Sequence, residues 1–393
     1  MNKRLSIVLK EIVKTVIGFF FGLFRATHRK ISKDKRVKRV LLFASKGACE
    51  KHIVEFAESI DQLGGLVRFD CLLIGVKKSD YPPICKQIRA RILRSRWVAY
   101  SRHYDLVISA FGYSTSFRDK ETKLLYTNHG AHIIGMNESE DTVTYTFVPK
   151  SKPDIMLEAN RYKAEAIRSE RPELRDVVKW VGWKFAEKEK KAEAERLSIR
   201  WKFGLNPSDV VVFIVGTWGP YNLYHTYGDR IFDVIRELAG HYKVIVSAHY
   251  NDFRKTRYHN GIDALPKGQM VEALEQCGCI VRKFYEPWIE YMAAADVVFT
   301  DYSTLSEEAV AMGKKVIFSN YPDTAVWKHS ICYRARKYMP VVEDINRLGE
   351  YVDDALKMEI PEEVRKMAEE TYVSRGEYEE RVLELTKGLL ELK

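Results

Sequence analysis

Six cysteines in 393 residues, Cys49, Cys71, Cys85, Cys277, Cys279 and Cys332, are too few and too scattered for a disulfide framework. Cys277-Gly278-Cys279 is too close for a C-x-x-C unit, and no second pair with histidine completes a zinc site. All six therefore read as structural, in a chain that asks for no oxidising compartment. No carboxylate cluster demands a metal, so neither metal nor cofactor is expected. Zinc-finger spacing, a helix-turn-helix signature and an RNP-like aromatic motif are also missing, which argues against nucleic acid as a partner. The apolar part of the amino terminus, Thr15 to Phe24, is too short to span about 30 Å of hydrocarbon as a helix. No A-x-A-like site marks a cleaved signal peptide.

What the chain does have is length, charge and alternation. At 393 residues it exceeds what one core usually serves, and a hydrophobic content of 46% suits a globular enzyme. Lys plus Arg outnumber Asp plus Glu by 64 to 54, a formal +10 that favours an anionic partner. The excess gathers early. Aromatic Phe19, Phe20, Phe21 and Phe24 are followed at once by Arg25, His28, Arg29, Lys30, Lys33, Lys35, Arg36 and Lys38. An apolar helix ahead of a basic cluster suits an in-plane anchor on an anionic membrane surface, each basic residue adding about 1 kcal/mol. The alternatives are an uncleaved signal anchor and a core helix. Residues 1–38 are thus expected to form a membrane-seeking segment.

From Arg39 onward, strands alternate with helices. Val40 to Ala44, Val67 to Ile74, Tyr104 to Ala110 and Lys123 to Tyr126 read as strands, His52 to Leu63 and Ile84 to Val98 as helices. Lys150 to Arg168 reads as a helical connector with Tyr162 and Ile167 inward, and Val177 to Val181 as a strand. The charge run Glu187 to Glu195 reads as a solvated helix face. The second half repeats the architecture with strands Asp209 to Val215, Tyr242 to Ser247, Ile280 to Arg282 and Val297 to Phe299. Such βαβ series imply parallel sheets, whose ligands lie beyond the carboxyl ends of the strands. The expected organisation is two doubly wound, Rossmann-like domains, 39–185 and 186–345, facing a cleft, with helices over 346–393.

Four candidate positions follow strands directly: His129, Thr217, His249 and Ser303. His129, ahead of Gly130, offers a ring usable as a base near neutral pH, or simply a hydrogen bond to a neighbouring loop. The stretch Asp296 to Asn320 holds a strand, a turn, a helix and a second strand. Thr304 and Glu307 have capping-box spacing, and Gly313 sits where a helix C-cap glycine belongs. Unpaired N–H groups at such a helix start, with the Ser303 and Thr304 hydroxyls, suit a phosphate; an ordinary capped turn is the other reading.

Asn128-His129-Gly130, Gly216-Thr217-Trp218, Ser247-Ala248-His249 and Thr300-Asp301-Tyr302-Ser303-Thr304 together resemble the motifs of the CDP-glycerol glycerophosphotransferases of teichoic acid synthesis. The resemblance runs from about Val40 to Pro340. The pattern departs from the family's at Asn128, at Gly219-Pro220 and at Tyr250. It implies a GT-B fold and a monotopic position on the cytoplasmic face of the membrane. It also implies transfer of a polyol phosphate from CDP-glycerol, or another nucleotide-activated donor, to a lipid-linked acceptor. In that scheme His129 is the base, His249 stabilises donor phosphate charge, and Thr217 and Trp218 line the nucleotide side. Ser303 and Thr304 supply dipoles, and Glu308 meets a ribose or glycerol hydroxyl. Asp301 either orients a histidine or donor hydroxyl, or serves the turn. Rivals on the same residues are a GT-B glycosyltransferase using a nucleotide sugar, a sugar-nucleotide epimerase and a non-catalytic membrane-surface protein.

Overall fold

The computed structural model describes residues 20, 21, 23, 24, 27, 37–45, 50–74, 84–93, 95–110, 121–127, 152–217, 221–248, 270–283 and 286–392. Apolar runs bounded by turns build two sheets, all of whose pairings are parallel. The first contains β1 (Lys38–Ser45), β2 (Val67–Ile74), β3 (Arg91–Ile92), β4 (Leu106–Ser109), β5 (Lys123–Tyr126), β6 (Ile155–Glu158) and β7 (Val178–Trp180), in the order β3-β2-β1-β4-β5-β6-β7. The second contains β8 (Val211–Val215), β9 (Lys243–Ser247), β10 (Ile280–Val281), β11 (Val297–Thr300), β12 (Lys315–Ser319) and β13 (Val341–Val342), in the order β10-β9-β8-β11-β12-β13. Both are doubly wound. The strand order reverses between β1 and β4 in one sheet and between β8 and β11 in the other, where crevices open at the carboxyl ends.

Val40 to Ala44 of β1 and the whole of β8 are apolar because both faces of each strand are covered. Val40, Leu42 and Ala44 join one core cluster while Leu41 and Phe43 join another. Val211, Phe213 and Val215 likewise separate from Val212 and Ile214. This is the pattern of a sheet buried on both sides by helices. The carboxyl-terminal helix Arg375–Leu390 starts at a capping box formed by Ser374 and Glu377. Its Tyr378, Val382 and Leu390 lie in the core cluster of the first sheet, so the chain returns to that sheet after completing the second.

The outgoing and returning crossings lie against each other. A Cβ at Gly182 would sit 2.1 Å from Val373 Cγ2, and φ there is +93°, so only glycine fits. The Trp183 N–H donates to the Thr371 carbonyl at 3.1 Å, and Asn160 Nδ2 donates to Thr371 Oγ1 at 2.8 Å. Nearby, Trp327 enters the cluster of Tyr126, Met156 and Ile167, and its indole N–H donates to Glu170 Oε2 at 3.1 Å.

Four expectations from sequence need correction. Ile84 to Val98 is not one helix: short helices Ile84–Gln87 and Arg96–Tyr100 flank β3. Arg89 turns the chain with φ +51°, and Asp70 captures Arg91 at 2.9 and 3.0 Å. Lys150 to Arg168 contains β6 before the helix Arg161–Glu170. Ile167 is buried there as expected, but Tyr162 faces outward beneath the Arg334 guanidinium, 3.8 Å from its ring centroid. The run Glu187 to Glu195 is not wholly solvated, because Glu189 is completely buried.

Of the amino-terminal segment, Phe20, Phe21, Leu23, Phe24 and Thr27 are described, all helical. Phe21 stacks on Trp97 with centroids 5.4 Å apart, whereas Phe20, Leu23 and Phe24 are exposed. Among the described residues no helix is long and apolar enough to cross a membrane.

Candidate functional site

The switch point of the second sheet is held by one carboxylate. Asp301 directly follows β11 and is fully buried. Both its oxygens accept the Thr217 N–H at 3.0 Å, Oδ2 accepts Leu223 N–H at 3.1 Å, and Oδ1 accepts Ser303 N–H at 2.8 Å. The loop after β8 and the turn after β11 are thereby fixed to each other. Gly216 permits this approach, since a Cβ there would meet Asp301 Oδ2 at 3.2 Å. Three of the residues singled out from sequence, Thr217, Asp301 and Ser303, thus form one hydrogen-bonded group.

Ser303 caps the helix Thr304–Ala311, its Oγ accepting the Leu305 N–H at 3.2 Å. Thr304 is the first helical residue, so the capping box expected from Thr304 and Glu307 does not form. The cap moves back one residue because Asp301 fixes the Ser303 backbone. Glu307, released from capping, is buried against Lys163 at 3.5 Å and receives the Cys332 thiol at 3.5 Å. The helix ends as expected, with Gly313 at φ +70°. Its amino-terminal end, beside buried Ser303, points its positive dipole end toward the switch point.

Glu308, on the same helix, is buried and within electrostatic reach of Arg282 and Tyr372. Burial lowers the Arg282 pKa to about 10, against the opposing pull of Tyr291, Glu286 and Glu308. Arg282 Nη1 donates to Ser247 Oγ at 2.9 Å at the end of β9. Neither Arg282 nor Ser247 was assigned from sequence. Ser247 lay inside a quoted motif without a role, and Arg282 only closed a short strand; nothing in their spacing marks the contact. Among the described residues no three His, Cys, Asp or Glu side chains are grouped as metal ligands are. His129, Trp218 and His249 lie outside the described residues.

No protein-family model matches the chain, and no relative emerges among curated sequences. Solved structures do match. The wall teichoic acid polymerase TagF aligns with a TM-score of 0.62 at 15% identity, covering 100% of this chain and 99% of the other. S. aureus MnaA, in a co-structure with UDP, gives 0.57 at 11% identity over 91% of this chain and 98% of the other. Anabaena Alr3699/HepE, in complex with UDP-glucose, gives 0.52 at 12% identity over 89% and 100%. At these identities the likeness is one of fold. The chain has the GT-B-like α/β fold of two parallel sheets, the fold that its motif resemblance implied and that TagF shares over its whole aligned length.

Proposed function

We propose that the protein transfers a polyol phosphate, glycerol phosphate foremost, from a CDP-activated donor to a hydroxyl of a lipid-linked acceptor in surface-polymer synthesis. One observation carries this reading. On a chain that takes the TagF fold from end to end, Asp301 draws the Thr217 loop and the Ser303 turn together at the switch point. The TagF structures add support, since they include single histidine variants of that protein, one of them soaked with CDPG.

In the proposed reaction the acceptor oxygen attacks the phosphorus that bears the polyol. A P–O bond forms on the acceptor side, the bridging P–O bond breaks, and CMP leaves with the bridging oxygen. Such displacement needs alignment, a base and stabilised phosphate oxygens more than covalent help. His129 takes the acceptor proton, and His249 answers the donor phosphate charge. Ser303, Thr304 and their helix start present dipoles to the phosphate, with Thr217 and Trp218 along the nucleotide. Glu308 receives a hydroxyl of the donor, and Asp301 positions the two loops. Residues 1–38 hold the protein on an anionic membrane surface at the cytoplasmic face.

A second reading is a GT-B glycosyltransferase that uses a nucleotide sugar, favoured by the likeness to HepE in complex with UDP-glucose. Thermal shift with CDP-glycerol, CDP-ribitol, UDP-sugars, CMP and UMP separates the two, because a ligand at a hundredfold its Kd stabilises by about 2.7 kcal/mol. Stabilisation by CDP compounds alone supports polyol-phosphate transfer. Stabilisation by UDP compounds alone supports glycosyl transfer, and retention of activity by both His129→Ala and His249→Ala sinks the catalytic reading.

A further inference from the structure

At the amino edge of the first sheet, away from the crevice, arginines gather round one carboxylate. In a parallel sheet all strands start at the same edge. Arg39, Arg68 and Arg91 lie at the starts of β1, β2 and β3, and Arg102 lies just ahead of β4. Arg39 and Arg68 are two residues before Leu41 and Asp70, which pair across β1 and β2, so all four share one face. Asp70 is buried there. It accepts Arg91 Nε and Nη2 at 2.9 and 3.0 Å, Arg102 Nη1 at 3.0 Å and the Tyr104 hydroxyl at 2.9 Å. Burial and the like charges of Arg91, Arg68 and Arg102 hold the Arg39 pKa below its ordinary value, with Asp70 pulling the other way. The helix Arg96–Tyr100 covers this face, its Ala99 packed with Leu41 and Leu72. Arg68, Arg91 and Arg96 are exposed, and among the described residues neither Arg68 nor Arg96 makes an ion pair.

Like charges brought together repel, and an anionic partner relieves that repulsion. Guanidinium groups suit phosphate in particular, because their planar fork meets two of its oxygens at once. The apolar surroundings say which phosphate. Trp97, 52% exposed, and Val98 stand on the outer side of the helix, and Leu66 is exposed just ahead of β2. The Phe21 ring stacks on Trp97 and meets Tyr100 edge-on at 5.8 Å, joining this surface to exposed Phe20, Leu23 and Phe24. In sequence, the basic run that follows Phe24 ends at Lys38, the first residue of β1. Exposed rings beside exposed arginines match a bilayer, where the rings enter the interface and the cations meet headgroups. A soluble anion would leave the rings without a partner. We propose that the amino edge of the first sheet is a headgroup site for anionic phospholipid, with Arg68 and Arg91 at the edge and Arg96 beside Trp97. This rests on the membrane reading above and extends the contact from residues 1–38 to the folded domain.

The experiment is sedimentation of the full chain with phosphatidylcholine vesicles, with and without phosphatidylglycerol, for wild type, Arg68→Gln, Arg68→Glu, Arg91→Gln and Arg96→Gln. Lys366→Gln, which removes an exposed cation elsewhere, is the control. One basic residue near an anionic surface corresponds to about fivefold in partitioning, the loss expected of Arg68→Gln and of Arg96→Gln. Arg68→Glu also adds a repelled charge and loses about twenty-fivefold. The losses shrink as salt rises and are absent on phosphatidylcholine alone. Thermal stability of the Arg68 and Arg96 variants stays at the wild-type value, since both side chains are exposed. Arg91→Gln also loosens Asp70; if it does not fold, Arg68→Glu decides. Inorganic phosphate at matched ionic strength leaves vesicle binding unchanged, whereas release by it makes the edge a pocket for a soluble anion and overturns the inference. A loss for Lys366→Gln as large as that for Arg68→Gln reduces the effect to overall charge and overturns it too. Suppose Arg68→Glu and Arg96→Gln bind like wild type while the variant with Phe20, Leu23 and Phe24 changed to serine is released. This inference then fails and the membrane reading stands. Wild-type protein that ignores anionic vesicles overturns both.

Discussion

Asp301 grips the Thr217 amide with both carboxylate oxygens at 3.0 Å, across 84 residues of chain. The same group also takes the amides of Leu223 and Ser303, so one side chain sets the shape of two loops. Hydrogen bonds to a charged acceptor contribute about 1.5–3 kcal/mol each, and buried donors left without one cost a similar amount. Asp301→Asn keeps the shape but aims an NH2 group at amide donors. It is expected to lower the unfolding free energy by about 3 kcal/mol or more in urea titration. It is also expected to abolish the nucleotide-induced thermal shift. A variant with wild-type stability and an intact shift would show that the loops hold themselves.

Lys163 and Glu307 join the helix after β6 to the helix after β11 through a contact with no solvent exposure on either side chain. Glu158, also fully buried, has its pKa raised by burial, with Lys163 pulling the other way. Removing the cation strands two carboxyl groups in the interior, and breaking such a pair costs about 3–5 kcal/mol. Lys163→Met is expected to destabilise by that amount. Adding Glu307→Gln is expected to restore part of the loss, since the interior then holds one acid fewer. A double variant as unstable as the sum of the singles would count against the pairing.

Phe21 is fixed against Trp97, which leaves Phe20, Leu23 and Phe24, 54%, 58% and 59% exposed, on the outside of their helix. Burying a Phe or Leu side chain is worth about 1.5–3 kcal/mol, and the basic run after Phe24 adds attraction to anionic lipid. The full chain is therefore expected to sediment with vesicles containing phosphatidylglycerol, less so as salt rises, and weakly with neutral vesicles. Replacing Phe20, Leu23 and Phe24 together by serine should reduce this binding more than tenfold, as about 1.4 kcal/mol already gives that factor. Equal sedimentation of the triple variant would place the contact elsewhere.

The parts of this fold that sequence disclosed are those where one physical requirement dominates. Val211 to Val215 is apolar without interruption because both sheet faces are covered, and it lies within the expected Asp209 to Val215; Val67 to Ile74 lies where expected although Arg68 and Asp70 interrupt its apolar run. β6 escaped notice since it is four residues long and ends in Glu158, a residue that ordinarily signals solvent. Here Glu158 Oε1 instead accepts the amides of Ala159 and Asn160 at 3.0 and 3.3 Å, a contact no pattern encodes. The cap shifted from Thr304 to Ser303 for a similar reason: adjacent hydroxyls are equivalent in sequence, and Asp301 chooses between them. The site was legible as a set of strand ends. Arg282 was not, because its partner Ser247 is 35 residues away.

Glu189 gives the protein an unusual pH dependence. It lies in the helix Ala186–Ala194 with no exposure, its Oε1 accepting the Trp183 indole N–H at 2.7 Å and its Oε2 the Tyr372 hydroxyl. Burial pushes its pKa up to about 7, Glu193 adding to the rise while the Tyr372 and Trp183 hydrogen bonds oppose it. A carboxyl group raised in the folded state holds a proton that the unfolded chain releases. Stability from that proton is complete below the unfolded value and is lost as pH climbs through about 7, opposite to the loss on acidification caused by ion-paired acids. A rise from 4.5 to about 7 corresponds to about 3 kcal/mol. Glutamine can still accept the Trp183 N–H and never ionises. The stability of Glu189→Gln relative to wild type should therefore grow by about 3 kcal/mol between about pH 5 and about pH 8, measured by urea unfolding. Groups common to both proteins cancel in that difference. Tyr372→Phe removes an opposing hydrogen bond and should move the wild-type transition to higher pH. A difference between Glu189→Gln and wild type that stays flat over the same range would mean that Glu189 is ionised at no cost, with its charge answered by the surrounding groups.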